Sequence, residues 1–133
     1  EHGASMMRAL VIDDSGAMRS ILSNILSELD FDVVEAADGK QAVRILADDP
    51  RFDLALVDWN LPEMNGLEIV TEVRSTLGMT DIKLLMVTTE TEFDRVAQAL
   101  GAGADEYIMK PFDRDMLIDK LLILGVPVHA VGT

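Results

Sequence analysis

The sequence contains no cysteine, which excludes disulfides, thiolate nucleophiles and cysteine-ligated metal sites. Positive charge is also scarce: 11 Lys and Arg stand against 24 Asp and Glu, and the formal net charge is −13. A surface with this balance repels nucleic acid and anionic membranes, so we expect neither as a direct partner. It suits a cation, or a protein partner with a basic face.

Long apolar runs are missing as well. None approaches the roughly 18 residues that a membrane span needs, and the N-terminus lacks the basic and apolar regions of a signal peptide. We therefore expect a cytoplasmic protein with no membrane insertion. The two histidines, His2 and His129, lie in the terminal segments, so the sequence does not support a zinc site.

The 133 residues hold enough apolar material for one ordinary domain, since 49% are hydrophobic and 26% are charged. We assign residues 7–125 to this domain. Residues 1–6 are expected to be a non-native remnant, with native sequence starting at Met6 or Met7. Residues 126–133 form a tail that is too short to be an output domain.

Short apolar runs alternate with amphipathic stretches along the chain. The predicted strands are Arg8–Ile12, Phe31–Ala36, Phe52–Asp58, Ile82–Val87 and Glu106–Met109. A stretch with helical spacing follows each of them, and Ser15 is the predicted N-cap of the first helix. The residues predicted to end the later helices are Pro50, Gly78, Gly101, Gly103 and Pro127.

Strands that alternate with helices imply parallel pairing through right-handed crossovers. We predict an α/β fold with a doubly wound five-stranded parallel sheet in a flavodoxin-like three-layer sandwich. The predicted strand order, 2-1-3-4-5, rests on analogy with that fold.

Asp58 ends a buried-type apolar run and is followed by a turn rich in Asn, Pro and Gly. Taken alone, an acid at this position is more simply explained as the start of a turn. In a doubly wound sheet, however, the carboxyl ends of the strands lie along one edge, where ligands bind. The first strand brings Asp13 and Asp14 to that edge, and the fourth and fifth strands bring Thr88 and Lys110.

Three carboxylates that share a crevice repel one another unless a cation is bound, and oxygen ligands suit Mg²⁺, with Mn²⁺ as a substitute. A Lys and a Thr beside such an ion are the donors that phosphoryl oxygens need. Asp58 can then act as a nucleophile and form an acyl phosphate. Two simpler interpretations stay open: Lys110 as a salt-bridge partner of an Asp, and Thr88 as the N-cap of the fourth helix.

Four motifs stand at these strand ends: Asp13-Asp14, Asp58, Thr88 and Lys110-Pro111. At this spacing they resemble the receiver domain of two-component response regulators, and the resemblance covers residues 8–124. The stretch 58–68 and the Lys-Pro-Phe sequence at 110–112 are most similar to the stand-alone chemotaxis type.

The resemblance implies a role for each acid. Asp58 would accept a phosphoryl group from the phosphohistidine of a histidine kinase or phosphotransfer protein. Asp14, Asp58 and the backbone carbonyl of Asn60 would bind Mg²⁺ directly, whereas Asp13 would act through water.

The resemblance also implies a switch. Lys110 would contact the phosphoryl group, and its peptide bond to Pro111 would be cis. Thr88 would move toward the phosphoryl group, and Tyr107 would rotate inward into the vacated space. Read alone, Tyr107 is equally typical of a half-buried aromatic residue on an edge strand.

Three positions near the acceptor are expected to tune its chemistry. Asn60 and Glu90 match the chemotaxis type, which implies moderately fast self-dephosphorylation. Thr89 departs from the family pattern, in which a small residue follows the switch threonine. We expect its branched side chain to narrow access to the acceptor.

Without an output domain, the signal would leave by protein contact. We expect the face built by the fourth helix, fifth strand and fifth helix to change on phosphorylation and to bind a downstream protein. The residues expected on this face are Val96, Tyr107, Met109 and Asp113. Read alone, Val96 is also typical of an ordinary core.

The sequence leaves three alternatives to a stand-alone receiver domain. The first is a receiver cut from a larger regulator. The second is an aspartate-nucleophile phosphohydrolase, but the haloacid-dehalogenase type places a second Asp where this chain has Asn60. The third is a flavodoxin-like cofactor binder, but Asp13 and Asp14 would repel a phosphate in the loop after the first strand.

Overall fold

The computed structural model describes residues 6–128. Residues 1–5 and 129–133 lie outside the described part of the chain, and with them lie His2, His129, most of the expected remnant and the end of the expected tail.

Five strands form one parallel sheet. They are β1 (Met7–Ile12), β2 (Phe31–Ala36), β3 (Leu54–Asp58), β4 (Lys83–Thr88) and β5 (Glu106–Met109). Their order is β2-β1-β3-β4-β5, and every neighbouring pair is parallel, which confirms the predicted fold. The predicted bounds of β2 and β5 are confirmed. Strand β4 begins and ends one residue later than predicted, because Thr88 still pairs with Met109; β1 begins one residue earlier than predicted and β3 two residues later.

Five α-helices flank the sheet. They are α1 (Gly16–Glu28), α2 (Gly39–Asp48), α3 (Gly66–Thr71), α4 (Val96–Ala102) and α5 (Arg114–Ile123). Ser15 is the N-cap of α1, as predicted, because its Oγ accepts the Met18 N–H at 3.2 Å. Within residues 6–128, no helix has both the length and the apolar character to cross a membrane.

Two helices have irregular turns that the sequence did not predict. Helix α3 continues as a π-helical turn over Glu72–Thr76, and a 3-10 segment over Glu90–Arg95 precedes α4. Apolar spacing over so few residues cannot distinguish these turns from an α-helix, because tertiary packing decides which carbonyl each N–H reaches.

The prediction that Pro127 ends the last helix is wrong. Helix α5 ends at Ile123, and Gly125 then adopts a φ of +77°. The Val126 N–H returns to the Leu121 carbonyl at 3.0 Å, which satisfies a carbonyl of the last turn. The left-handed glycine therefore ends the helix before the proline can act.

Two glycines, Gly101 and Gly103, were predicted to end helix α4. The helix continues past Gly101 to Ala102, and Gly103, which has a φ of +125°, is its C-cap. Gly78, the predicted end of the third helix, has a φ of +66° and directly follows its C-cap. A glycine adopts this left-handed region without the penalty that a Cβ would bring.

Side chains of alternate strand residues enter two separate cores. The core on the side of α2, α3 and α4 contains Leu10, Ile12, Ala55, Val57, Leu84 and Met86. The core on the side of α1 and α5 contains Ala9, Val11, Leu54, Leu56, Leu85 and Val87. All five residues of β3 are buried, as expected for a central strand that is covered on both faces.

Arg74 joins several segments at the edge where the strands begin. Its guanidinium donates to the carbonyl oxygens of Gly103 (3.0 Å) and Met79 (2.9 Å) and to Asp105 Oδ2 (2.9 Å). The same Asp105 oxygen accepts the Leu84 N–H at 2.8 Å. The carboxyl end of α4 is therefore held by charge-assisted hydrogen bonds to the edge opposite the predicted site.

Replacing Gly66 by Ala is expected to destabilise the fold. A Cβ there would lie 2.6 Å from Met86 Cε and 3.2 Å from Trp59 Cα. The packed atoms would have to shift, which should lower the free energy of unfolding by about 1–3 kcal/mol.

The matched control is Gly101→Ala in α4, where a Cβ meets nothing within 4 Å. The gain in helix propensity should raise the free energy of unfolding there by about 0.5–1 kcal/mol. Urea unfolding followed by circular dichroism measures both variants. A change of stability in the same direction for Gly66→Ala and Gly101→Ala would contradict the steric cause assigned to Gly66.

Candidate functional site

Backbone hydrogen bonds continue the sheet beyond two strand ends and position the residues there. The Asp13 N–H donates to the Ala36 carbonyl at 3.1 Å, and the Lys110 N–H donates to the Thr88 carbonyl at 2.7 Å. Asp58 and Thr88 are themselves the last residues of β3 and β4. The backbone of these four residues is therefore ordered, and it lies at the edge of the sheet where the parallel strands end, as predicted from the sequence.

Asp13, Asp14 and Asp58 form a carboxylate cluster. Each offers one oxygen, and the three oxygens lie within 4.8 Å of one another. Asp13 is 2% exposed and Asp58 is 6% exposed, whereas Asp14 is open to solvent. Two of the three charges are therefore placed where water does little to solvate them.

The two oxygens of Asp13 differ in their surroundings. Its Oδ1 accepts the Ser15 N–H at 2.9 Å. Its Oδ2 is buried and has no hydrogen-bond partner among the described residues. A buried carboxylate oxygen without a donor costs free energy unless a cation or a bound water faces it.

Lys110 brings a positive charge to the cluster. Its Nζ lies 3.2 Å from Asp58 Oδ1, within hydrogen-bond distance, and 3.8 Å from Asp13 Oδ2. The Lys110–Pro111 peptide bond is cis. The simpler interpretation of Lys110 as a salt-bridge partner thus describes its geometry correctly. One ammonium does not balance three carboxylates, so the cluster keeps an excess of negative charge.

The pKa of Asp58 is raised from 3.8 to about 6. Burial is the largest cause, because it penalises the charged form, and repulsion by Asp13 adds to it. Lys110 acts in the opposite direction through its charge and its hydrogen bond, and Glu92 raises the pKa further. Asp58 therefore lies in surroundings that favour neutralisation of its charge.

Thr88 is completely buried, and its hydroxyl lies near two oxygen acceptors in the residues that follow β4. The Oγ1 atom lies 3.1 Å from the Thr89 carbonyl oxygen and 3.5 Å from Glu92 Oε1. The interpretation of Thr88 as a helix N-cap is wrong, because the 3-10 segment before α4 begins after Thr89. Asn60 and Glu90, the other tuning candidates, are exposed.

Tyr107 is half-buried on the edge strand β5. Its ring centroid lies 5.6 Å from that of Phe93 in an edge-to-face arrangement, and Lys120 Nζ lies 4.7 Å from the same centroid. Both geometries are favourable for an aromatic ring. Tyr107 thus connects the 3-10 segment with α5.

The other residues expected on this face differ in exposure. Val96 is 3% exposed and belongs to the core, so its simpler interpretation is correct. Met109 is half-buried, and Asp113 is exposed. Asp113 is the N-cap of α5, where its Oδ1 accepts the Met116 N–H at 2.9 Å.

Two residues near the acceptor were missed by the sequence reasoning. Trp59 follows Asp58 directly, is 3% exposed, and donates its backbone N–H to the Val87 carbonyl at 2.9 Å. Glu92 accepts the Thr89 N–H at 3.0 Å. A signal for Glu92 was present, because a Thr followed three residues later by a Glu is the pattern of a capping box.

A protein-family model described as the response regulator receiver domain matches residues 9–122. The chain belongs to this family. The chemotaxis protein CheY1 of Helicobacter pylori is 44% identical over 121 residues, which cover 90% of this chain and 98% of that protein. The chemotaxis protein CheY of Pseudomonas aeruginosa is 36% identical over 116 residues, which cover 86% of this chain and 93% of that protein.

Solved structures agree with this assignment. The chemotaxis protein CheY4 of Vibrio cholerae superposes with a TM-score of 0.82 at 33% identity, covering 90% of this receiver and 98% of that chain. A CheY-like receiver domain protein of Methanospirillum hungatei gives a TM-score of 0.80 at 31% identity, covering 90% and 94% of the two chains.

As a receiver, the protein is a phosphorylation-driven response regulator, a phosphoacceptor signalling module and not an enzyme in the usual sense. The family implies a histidine kinase as partner, and its acidic triad is typical of a receiver Mg²⁺ site. The family match decides against the phosphohydrolase and the flavodoxin-like cofactor binder.

In the metal-free receiver, Asp58→Asn is expected to raise the free energy of unfolding near pH 7. The pKa of Asp58 is about 6 in the fold and 3.8 ordinarily, so the folded state binds this proton more tightly than the unfolded state. Ionisation of Asp58 therefore costs no stability below about pH 4, and the cost grows as the pH rises and is complete above about pH 6. Asp58→Asn removes this cost, so its gain in the free energy of unfolding at pH 7 is at most about 3 kcal/mol.

Urea unfolding in the presence of a chelator, repeated between pH 4 and pH 7.5, measures this effect. The stability difference between Asp58→Asn and wild type should shrink as the pH falls through this range. Asp94→Asn, at an exposed acid of the 3-10 segment, is the control. An equal gain at both ends of the pH range would contradict the assigned cause.

Proposed function

We propose that the receiver accepts a phosphoryl group on Asp58 from the phosphohistidine of a histidine kinase or phosphotransfer protein. The observation that carries this proposal is the position of Asp58 Oδ1, 3.2 Å from Lys110 Nζ and inside the carboxylate cluster. A carboxylate that faces a fixed cation at a strand end can act as a nucleophile toward phosphorus.

In the transfer, a carboxylate oxygen of Asp58 forms a bond to phosphorus while the bond from phosphorus to the imidazole nitrogen breaks. The electron pair of the broken bond stays on the imidazole, and Asp58 becomes an acyl phosphate. Lys110 faces the phosphoryl oxygens, where negative charge accumulates. The Thr88 hydroxyl supplies a second donor once it leaves its present acceptors.

Mg²⁺ suits the oxygen donors at this edge, and Mn²⁺ can take its place. Asp14, Asp58 and the backbone carbonyl of Asn60 are the proposed direct ligands, and Asp13 is proposed to act through water. Asp13 Oδ2 supports this assignment: it accepts no hydrogen bond among the described residues, and Lys110 Nζ lies 3.8 Å away, so a cation or its bound water would satisfy it. When bound, the ion supplies neutralisation of charge on the phosphoryl oxygens.

Three residues are proposed to set the rate and lifetime of the modification. Asn60 offers no proton to a leaving group, so hydrolysis relies on water placed beside Asn60 and Glu90. Thr89 lines a groove of about 490 Å³ together with Lys110 and Pro111. Its branched side chain is proposed to narrow the approach of a phosphodonor to Lys110, which lines the same groove.

The output is proposed to be a change in the face built by α4, β5 and α5, to which a downstream protein binds. The contacts of Tyr107 with Phe93 and Lys120 support this, since a shift of the 3-10 segment alters the packing of the ring. Inward rotation of Tyr107 then follows the movement of Thr88. A two-state change of this kind needs only that the phosphoryl group contacts one state better than the other.

We also propose that residues 7–125 act as a single-domain receiver in the cytoplasm, with 126–133 as a tail. The chain spans 98% of its Helicobacter pylori relative, a chemotaxis protein, which supports this form. A receiver cut from a longer regulator is the alternative. The mass of the native protein in its source cells distinguishes the two.

Incubation with acetyl phosphate and Mg²⁺ is expected to add one phosphoryl group to the wild type and none to Asp58→Asn. Lys110→Ala should lower the rate about 10²-fold, because a charge-stabilising donor is lost. Lys83→Ala, at the opposite end of β4, is the control and should leave the rate unchanged. Intact-mass spectrometry at timed intervals measures all four proteins.

The same time course tests Thr89. Thr89→Ala should accelerate phosphorylation several-fold because the approach to Lys110 widens, whereas Thr80→Ala, at an exposed position before β4, should not. An unchanged rate for Thr89→Ala would remove its proposed role. Phosphorylation of Asp58→Asn at the wild-type rate would remove the acceptor assignment itself.

Addition of beryllofluoride, a mimic of the aspartyl-bound phosphoryl group, is expected to shift backbone amide resonances of Tyr107, Met109 and Asp113. The reason is the proposed change in packing between the 3-10 segment and β5. Nuclear magnetic resonance titration with Mg²⁺ present measures the shifts, and Asp58→Asn is the control. Shifts confined to the carboxylate cluster would contradict a signal to this face.

A further inference from the structure

Glu92 lies between the acceptor site and the segment that leads into α4. Its Oε1 accepts the Thr89 N–H at 3.0 Å and lies 3.5 Å from the Thr88 hydroxyl. The carboxylate is half-buried, and the backbone N–H holds it in place. A single side chain of the 3-10 segment therefore contacts the residue proposed to move toward the phosphoryl group.

The Thr88 hydroxyl has one hydrogen to donate, and two oxygens compete for it. The Thr89 carbonyl lies 3.1 Å away, and Glu92 Oε1 lies at the outer limit of a hydrogen bond. Both acceptors belong to the start of the 3-10 segment. Thr88 can donate to a phosphoryl oxygen on Asp58 only after it leaves these acceptors.

The charge of Glu92 also reaches the acceptor. The Thr88 hydroxyl, 3.5 Å from Glu92 Oε1, belongs to the last residue of β4, and Val87 before it pairs with Asp58 at the end of β3. A negative charge at this position repels the additional negative charge of a phosphoryl group on Asp58. The repulsion is only partly screened, because Thr88 and Asp58 are buried.

We propose that Glu92 is a positioning residue that favours the unphosphorylated conformation, by holding Thr88 at the 3-10 segment and by opposing negative charge on Asp58. The proposal rests on the proposed acceptor role of Asp58. Phosphorylation then displaces Glu92 from Thr88 and Thr89, and the 3-10 segment loses the contact that fixes its first turn.

The 3-10 segment is suited to such a release. None of the side chains of Glu90–Arg95 is buried, so its position depends on hydrogen bonds more than on apolar packing. Phe93, one residue after Glu92, contacts Tyr107. Displacement of Glu92 therefore changes the aromatic pair on the proposed output face.

Glu92→Gln tests the charge. The amide oxygen of Gln can still accept the Thr89 N–H, so the turn is kept while the negative charge is removed. Beryllofluoride titration at fixed Mg²⁺ is followed by the fluorescence of Trp59, the single tryptophan of the chain, which is buried beside the acceptor. Glu92→Gln should bind beryllofluoride about five-fold more tightly than wild type.

Asp94→Asn is the matched control, since it removes the same charge from an exposed position in the same segment. Its affinity should stay close to that of the wild type, because an exposed charge is screened. Because Gln keeps an acceptor for the Thr89 N–H, a gain for Glu92→Gln that Asp94→Asn does not share is assigned to the lost charge at position 92. Equal affinities for Glu92→Gln, Asp94→Asn and wild type would overturn the proposal.

Thr88→Val tests the second part of the proposal, because valine keeps the shape of threonine and lacks the hydroxyl. If Glu92 acts through Thr88, the gain from Glu92→Gln should be smaller in the Thr88→Val background. An undiminished gain would overturn the part assigned to Thr88. Wild type that binds no beryllofluoride, or Asp58→Asn that binds it equally, would instead refute the acceptor assignment.

Discussion

Mutual repulsion among Asp13, Asp14 and Asp58 is the constraint on which the site depends. The parallel sheet places their oxygens within 4.8 Å of one another, and burial of two of the acids weakens the screening by water. Lys110 offsets part of this charge without closing the edge to solvent. The two apolar cores stabilise the domain enough to offset the electrostatic repulsion in this cluster. A bound cation would lower that repulsion.

Much of this arrangement could be predicted because the geometry of a parallel sheet leaves few choices. Apolar runs of strand length predicted all five strands, and the strand-end rule placed Asp13, Asp58, Thr88 and Lys110 at one edge. The bounds of Phe31–Ala36 were correct because polar and turn-forming residues flank the run. The strand order needed the analogy with a known fold, since spacing alone does not order strands.

The remaining features depend on contacts that no local pattern encodes. Asp13 and Asp14 follow the same strand, but Asp13 is buried and Asp14 is exposed. The direction of the turn decides this, and the hydrogen bond from the Ser15 N–H to Asp13 Oδ1 fixes that direction. Glu92 is far from Asp58 in sequence. Its charge acts on Asp58 because the paired strands β3 and β4 end side by side. The glycine at 125 ended a helix before the proline that was expected to do so.

Arg74 has a consequence for the geometry of the response. Its guanidinium bonds acceptors from three separate segments, so the carboxyl end of α4 cannot translate without leaving a largely buried cation unpaired. The amino end of that helix, at Val96, is held by apolar packing and has no side-chain cap hydrogen bond. A disturbance at the acceptor edge should therefore swing the helix about Arg74 as a pivot. A partner on the outer face would then sense a change in helix angle more than a change in distance.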